Sequence, residues 1–171
     1  MKILFASDLH GSASAAEKGL ERLEKEGADR FFLLGDLLYH GPRNDLPDRY
    51  EPREVIRLLN ESPIVPLCVR GNCDAYSRSD AEENLLFNAD GVRIFMTHGH
   101  RYNVKLGYES LANAAHFSGA QLALFGHTHE ADFLRMGDVT LFNPGSAGMG
   151  RQTYGMITVK GTEFKCEILS L

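Results

Sequence analysis

"KILFASDLHG", Lys2 to Gly11, is apolar from Ile3 to Ala6 and turns polar at Asp8 and His10. The run suits a short buried strand. The same arrangement recurs downstream. Phe31-Phe32-Leu33-Leu34 stops at Gly35-Asp36, and Ile64 to Val69 stops at Gly71-Asn72-Cys73-Asp74. Val92 to Met96 stops at Thr97-His98-Gly99-His100, and Gln121 to Phe125 stops at Gly126-His127-Thr128-His129. Five apolar strands thus end in polar tips, and strand carboxyl ends are where open α/β sheets collect ligands.

Helices are expected between the early strands. Ser14 and Glu17 fit a capping box, with Ala16, Leu20 and Leu23 on one face and Gly27 as a stop. Pro52 suits the first turn of a second helix with Val55, Leu58 and Leu59 inward, and a third fits Tyr108 to Phe117. A strand around Leu85-Leu86-Phe87 pairs with Val92 to Met96 through Asn88-Ala89-Asp90-Gly91. The remaining strands are Ala131 to Met136, Val139 to Phe142, Tyr154 to Val159 and Glu163 to Leu169, with a turn at Gly137-Asp138. Helices alternate with strands early and antiparallel strands dominate late. The expectation is an α/β fold in which two packed mixed sheets are covered by helices.

At 171 residues, the sequence reads as a single domain, 1–171, of ordinary globular composition. Its net charge of -5 gives no basic field for nucleic acid, so any hold on a phosphate is local. Three cysteines without a CxxC pair, no signal-peptide pattern and no run near the ~20 apolar residues of a span point to the cytoplasm. A homo-oligomer is left open.

Five of the seven histidines lie at strand tips. In extended backbone, residues i and i+2 point to one side, so Asp8 and His10 converge, as do His127 and His129. Neighbouring imidazoles repel when protonated but can share a cation when neutral. Asp8, His10, Asp36, Asn72, His98, His127 and His129 offer oxygen and imidazole without thiolate. That set favours Mn²⁺, Fe²⁺, Co²⁺, Ni²⁺ or Zn²⁺. Seven side chains suit two ions ~3.5–4 Å apart, an arrangement used for phosphoryl chemistry.

The blocks Asp8-x-His10, Gly35-Asp36, Gly71-Asn72-Cys73-Asp74, His98 and Gly126-His127-Thr128-His129 resemble, in order, the calcineurin-like metallophosphoesterase family. "GDLLYHGPRNDLP", "RGNCD", "THGH", "GHTH" and "NPGS" are similar to its small YfcE-like branch of bacterial phosphodiesterases. The resemblance implies a four-layer α/β/β/α sandwich of two mixed β-sheets flanked by helices. It implies two divalent ions, manganese first and zinc, iron, cobalt or nickel as alternatives. Asp8, His10, Asp36 and His129 would hold one and Asp36, Asn72, His98 and His127 the other, with Asp36 as bridge. Asn72 and His98 would thus serve catalysis through the second ion. The implied reaction is hydrolysis of a small phosphodiester by in-line attack of a metal-bridging hydroxide.

Much of the family carries histidine, thought to protonate the leaving group, where this chain has Cys73. A thiol suits that role poorly, so either the leaving groups are undemanding or another acid, with His100 a candidate, helps, and Cys73 reads as packing beside the site rather than as a catalyst. His40 and Arg43 either contact phosphate or belong to a solvated turn. Few cations flank the site, Arg43 chief among them, which favours a singly charged diester over a monoester. Asn143-Pro144-Gly145-Ser146 reads as a structural turn, and His116 as a helix residue outside the ligand set. The alternatives are a protein-interaction scaffold, like the eukaryotic retromer subunit with this fold, and a phosphomonoesterase using the same site. The intact ligand set favours an enzyme.

Overall fold

The computed structural model describes residues 1–74 and 80–171. The strands are β1 (Lys2–Ala6), β2 (Arg30–Leu33), β3 (Leu67–Cys68), β4 (Asn84–Ala89), β5 (Val92–Thr97), β6 (Leu122–Leu124), β7 (Ala131–Met136), β8 (Val139–Pro144), β9 (Thr153–Lys160) and β10 (Glu163–Ser170). The helices are α1 (Ala13–Glu26), α2 (Pro52–Asn60) and α3 (Glu109–Phe117). Two sheets of five strands run in the orders β10-β9-β1-β2-β3 and β4-β5-β6-β8-β7. Strands β1-β2-β3 and β5-β6-β8 are parallel, and antiparallel neighbours complete each sheet. Both are mixed, as expected.

The alternation of strand side chains builds the layers. Ile3 and Phe5 of β1 face the second sheet and pack with Ile94, Met96, Leu122, Leu124 and Phe142. Leu4 and Ala6 face the other way, under Ala15, Ala16 and Leu23 of α1 and Val55 of α2. On the far face of the second sheet, Phe95, Ala123 and Leu141 pack against Leu111, Ala112 and Ala115 of α3. The stack is α/β/β/α, and β1, β2, β5 and β6 deliver their carboxyl ends to a shared edge.

Several local expectations change. The α1 cap is Ser12, whose hydroxyl accepts from Ala15 N, and Ser14 lies inside the helix. The strand expected over Ile64 to Val69 shrinks to Leu67–Cys68. Pro66 has no N–H to donate to the ladder. The β4–β5 connection is tighter than Asn88 to Gly91. It turns on Asp90 and Gly91, both at positive φ, as a two-residue hairpin requires. After β5, a short 3₁₀ turn at His100–Tyr102 precedes α3.

Candidate metal centre

All seven residues expected as ligands meet at this edge, though not through extended backbone. Asp8, His10, Asp36, His127 and His129 sit at φ 55, 49, 54, 71 and 65°. Left-handed conformation is uncommon outside glycine and collects at functional sites. Five of the nine non-glycine residues in that region, among the described residues, are candidate ligands. The alternation argument therefore fails for His127 and His129, which turn to different partners. Ligand atoms of Asp8, His10 and His129 lie within 4.8 Å of one another, as do those of Asp36, His98 and His127, and of His10, Asp36 and Cys73.

Two histidines are aimed by their rear nitrogens. His10 Nδ1 donates to Tyr39 O at 2.9 Å and His98 Nδ1 donates to Leu34 O at 2.7 Å. Each thereby turns the Nε2 lone pair inward, an outer contact typical of metal-binding imidazoles. His10 Nε2 faces His129 Nε2 at 3.0 Å, and His98 Nε2 lies 3.2 Å from Asn72 Oδ1. Asp8 Oδ2 accepts from Ser7 Oγ at 2.6 Å and from His127 N at 3.1 Å. Asp8 Oδ1 is buried without a hydrogen-bond partner among the described residues. It stands 3.3 Å from His129 Nε2, 3.5 Å from His10 Nε2 and 4.0 Å from His98 Nε2. A buried carboxylate oxygen left unpaired is costly. A cation among these nitrogens removes the cost, so the donor set fits divalent ions.

Glycines let the strand tips approach. A Cβ on Gly71 would lie 2.1 Å from Asp36 Oδ1, and one on Gly126 would lie 1.9 Å from Ser7 Oγ. Asp74 ties two tips together, its carboxylate accepting from Asp36 N, Leu37 N and Gly71 N at 2.8 to 2.9 Å. The expected 143–146 turn is only half a turn, since Asn143 and Pro144 pair with Asp132 and Ala131 at the end of β8, and Asn143 Nδ2 donates to Gly126 O at 3.0 Å and Thr128 Oγ1 at 2.9 Å.

Burial pushes the Asp8 carboxyl up, but His98, His10 and His129 outweigh it and hold it well below the usual range. Burial pulls His98 down, but Asp8 and Asp36 raise it to about 9. Burial, then His98 and Lys105, lower His127 to about 4. In the ion-free protein these shifts act in opposite windows. The raised His98 stabilises fully below its unfolded value of ~6.5 and loses that effect as pH rises through about 9. The depressed His127 costs stability as pH falls from ~6.5 to about 4, because the unfolded chain takes up a proton that the folded chain refuses. Thermal melts of the chelated protein should therefore peak near pH ~6.5. A Tm that rises steadily through pH 9 contradicts this balance.

The cluster floors a cleft of about 250 Å³, also lined by Gly41, Pro42, Arg43, Asn44, Asn72, Cys73 and Lys105. Arg43 is among these lining residues. His40 is not among the lining residues, and its ring packs edge-on against Tyr39 and Tyr50. His100 is not among the lining residues either, and its ring lies 5.5 Å from that of His98. In the ion-free protein burial, then Asp36, push the Cys73 thiol up to about 12, which disfavours its thiolate. Its sulfur instead accepts from Asn72 Nδ2 at 3.3 Å, steadying the amide whose oxygen faces His98. His116 is exposed on α3. Lys105 and the Asp74 clamp went unrecognised in the sequence.

Two carboxylates and four imidazoles around an unpaired buried oxygen, at the shared edge of a two-sheet sandwich, make a donor set that fits a metal centre. The chain belongs to the calcineurin-like phosphoesterase superfamily, matching its domain over residues 1–162. It is similar to phosphodiesterase YfcE of Escherichia coli strain K12, at 36% identity over 92% of this chain and 87% of that one. The solved structure of the E. coli phosphoesterase Yfce aligns with a TM-score of 0.76 at 35% identity, covering 92% of this chain and 88% of that one. Zinc-bound Vps29 of Entamoeba histolytica shares the fold at 19% identity and a TM-score of 0.71, covering 99% and 98%. Family and relatives together mark the chain as an enzyme.

Proposed function

We propose that residues 1–171 form one metallophosphoesterase domain acting as a dinuclear metal-dependent phosphodiesterase. The carrying observation is the position of Asp36, whose carboxylate belongs both to the group with His98 and His127 and to a group with His10. It thereby links the Asp8 side of the cluster to the His98 side. The likeness to a named phosphodiesterase supports the substrate class. Bound divalent cations would supply Lewis acidity and lower the pKa of a water nucleophile for in-line attack at phosphorus. Asp8, His10, Asp36 and His129 are the proposed ligands on one side, and Asp36, Asn72, His98 and His127 on the other.

The chain's own residues do the rest. Asn72 offers a neutral carbonyl oxygen. His10 and His98 are locked by their carbonyl partners with Nε2 inward. Arg43 and Lys105 are proposed to bind the non-bridging phosphate oxygens. Manganese remains the first choice of ion, and an oxygen-and-imidazole set equally accommodates zinc, iron, cobalt or nickel. No helix among the described residues is long and apolar enough to cross a membrane. Three free cysteines suit the reducing cytoplasm.

The test compares kcat/KM on an aryl phosphodiester and the matching monoester, for wild type, Arg43→Ala and Lys105→Ala. The diester should be preferred. Each variant should raise KM for the diester roughly ten- to a hundredfold, the scale of a charge-assisted hydrogen bond worth ~1.5–3 kcal/mol. Equal or better turnover of the monoester would point instead to a phosphomonoesterase. Hydrolysis of neither ester with any of the five metals would favour the scaffold.

A further inference from the structure

The cleft above the candidate ligands has a neighbour. Arg43 and Asn44 also line a second cavity of about 440 Å³, walled by Asp45, Leu46, Pro47 and the 148–150 turn. The two spaces share a wall. The far wall is fixed to the ligand strand, because Ser146 Oγ and Gly148 N donate to Asp8 O at 2.8 and 3.1 Å. Met149 N in turn donates to Ser146 Oγ at 3.0 Å. A Cβ on Gly148 would lie 2.2 Å from Leu9 O, so this turn rests directly on the tip that carries Asp8 and His10. Leu46 is 63% exposed and joins no core cluster. It stands with Pro47 and half-buried Met149 as the apolar part of a lining that also presents Arg43, Asn44 and Asp45.

We propose that this second cavity seats the retained alcohol of the diester, and that the alcohol it takes is a ring, aryl or nucleoside-like. The inference rests on the phosphodiesterase reading above. A departing alcohol leaves opposite the attacking water and so points outward from the cluster. A cavity hung on the carbonyl of Asp8 lies beside the cluster, where the retained alcohol goes. Its volume falls within the ~300–1,000 Å³ of small-molecule sites. Leu46, Pro47 and Met149 cover the ring faces, while the Asp45 carboxylate repels a second phosphate. Extended nucleic acid and polyphosphate esters are therefore poor occupants.

The metal-loaded protein is assayed on methyl p-nitrophenyl phosphate and phenyl p-nitrophenyl phosphate, which share a leaving group. Wild type should favour the phenyl ester by roughly tenfold in kcat/KM, the scale of a buried ring edge. Leu46→Ser, uncharged and at an exposed position where folding is not at stake, should remove most of that preference through KM and leave the methyl ester unchanged. Met149→Ala should weaken it in the same sense. Equal use of both esters by wild type, or an equal loss on both in Leu46→Ser, overturns the inference. Hydrolysis of neither overturns the phosphodiesterase reading, and this inference with it.

Discussion

Asp36→Asn is expected to lower phosphodiester hydrolysis by at least ~10³-fold, beyond the ~10–100-fold typical of losing an outer partner of a metal ligand. Asp36 Oδ2 stands 3.3 Å from His98 Nε2 and 3.9 Å from His10 Nε2, so it faces both halves of the cluster. An amide there halves the negative charge that Asp8 and Asp36 supply together and puts a donor or a neutral oxygen where a carboxylate should serve both sides. The fold should survive, because the amide oxygen can still accept from Cys73 N, which now donates to Asp36 Oδ1 at 2.7 Å. Metal content by mass spectrometry should drop along with kcat/KM, while the far-ultraviolet circular dichroism stays unchanged. A variant that keeps its full metal content and activity would remove Asp36 from the shared position.

Gly71→Ala should cost ~10²-fold in rate, although it deletes nothing. Its methyl would lie 2.1 Å from Asp36 Oδ1 and 2.3 Å from Asp36 N, atoms of a buried side chain and its backbone. Overpacking of this kind costs ~1–3 kcal/mol. The larger effect is on chemistry, since Asp36 must move and a displacement of ~1 Å in a catalytic arrangement costs ~10²-fold. Thermal melting and kcat/KM measured on one preparation separate the two effects. The expected pattern is a moderate loss of Tm with a disproportionate loss of rate, and rate loss that merely tracks unfolding would contradict it.

The two-sheet sandwich was legible because buried parallel strands are written as short apolar runs, as in Phe31 to Leu34, and each run ends at a polar tip. The ligand-type residues were legible for the same reason, since nothing in a core explains Asp8, Asp36 or His98 there. Their division between two sides was legible only through the family resemblance, because the left-handed φ of His127 and His129 separates two imidazoles that extended backbone would have aligned, and no composition signal announces it. Asp74 sat in view within the quoted motif, yet its work depends on three amides brought together from two strand tips. Lys105 is one exposed lysine in a polar loop, and only the tertiary fold carries it to the cleft. Ser12 took the cap from Ser14 because the β1 tip turns sharply into α1. That junction carries His10 and Gly11 at positive φ.

The central claim is that the cluster works with two divalent ions. Its most direct test is a titration of the stripped protein with Mn²⁺, following bound metal per chain and hydrolysis of an aryl phosphodiester on the same samples. Stripped protein should be inactive, and activity should climb to its plateau as occupancy approaches two ions per chain. Full activity after thorough chelation, or a plateau reached at one ion per chain, would contradict the account.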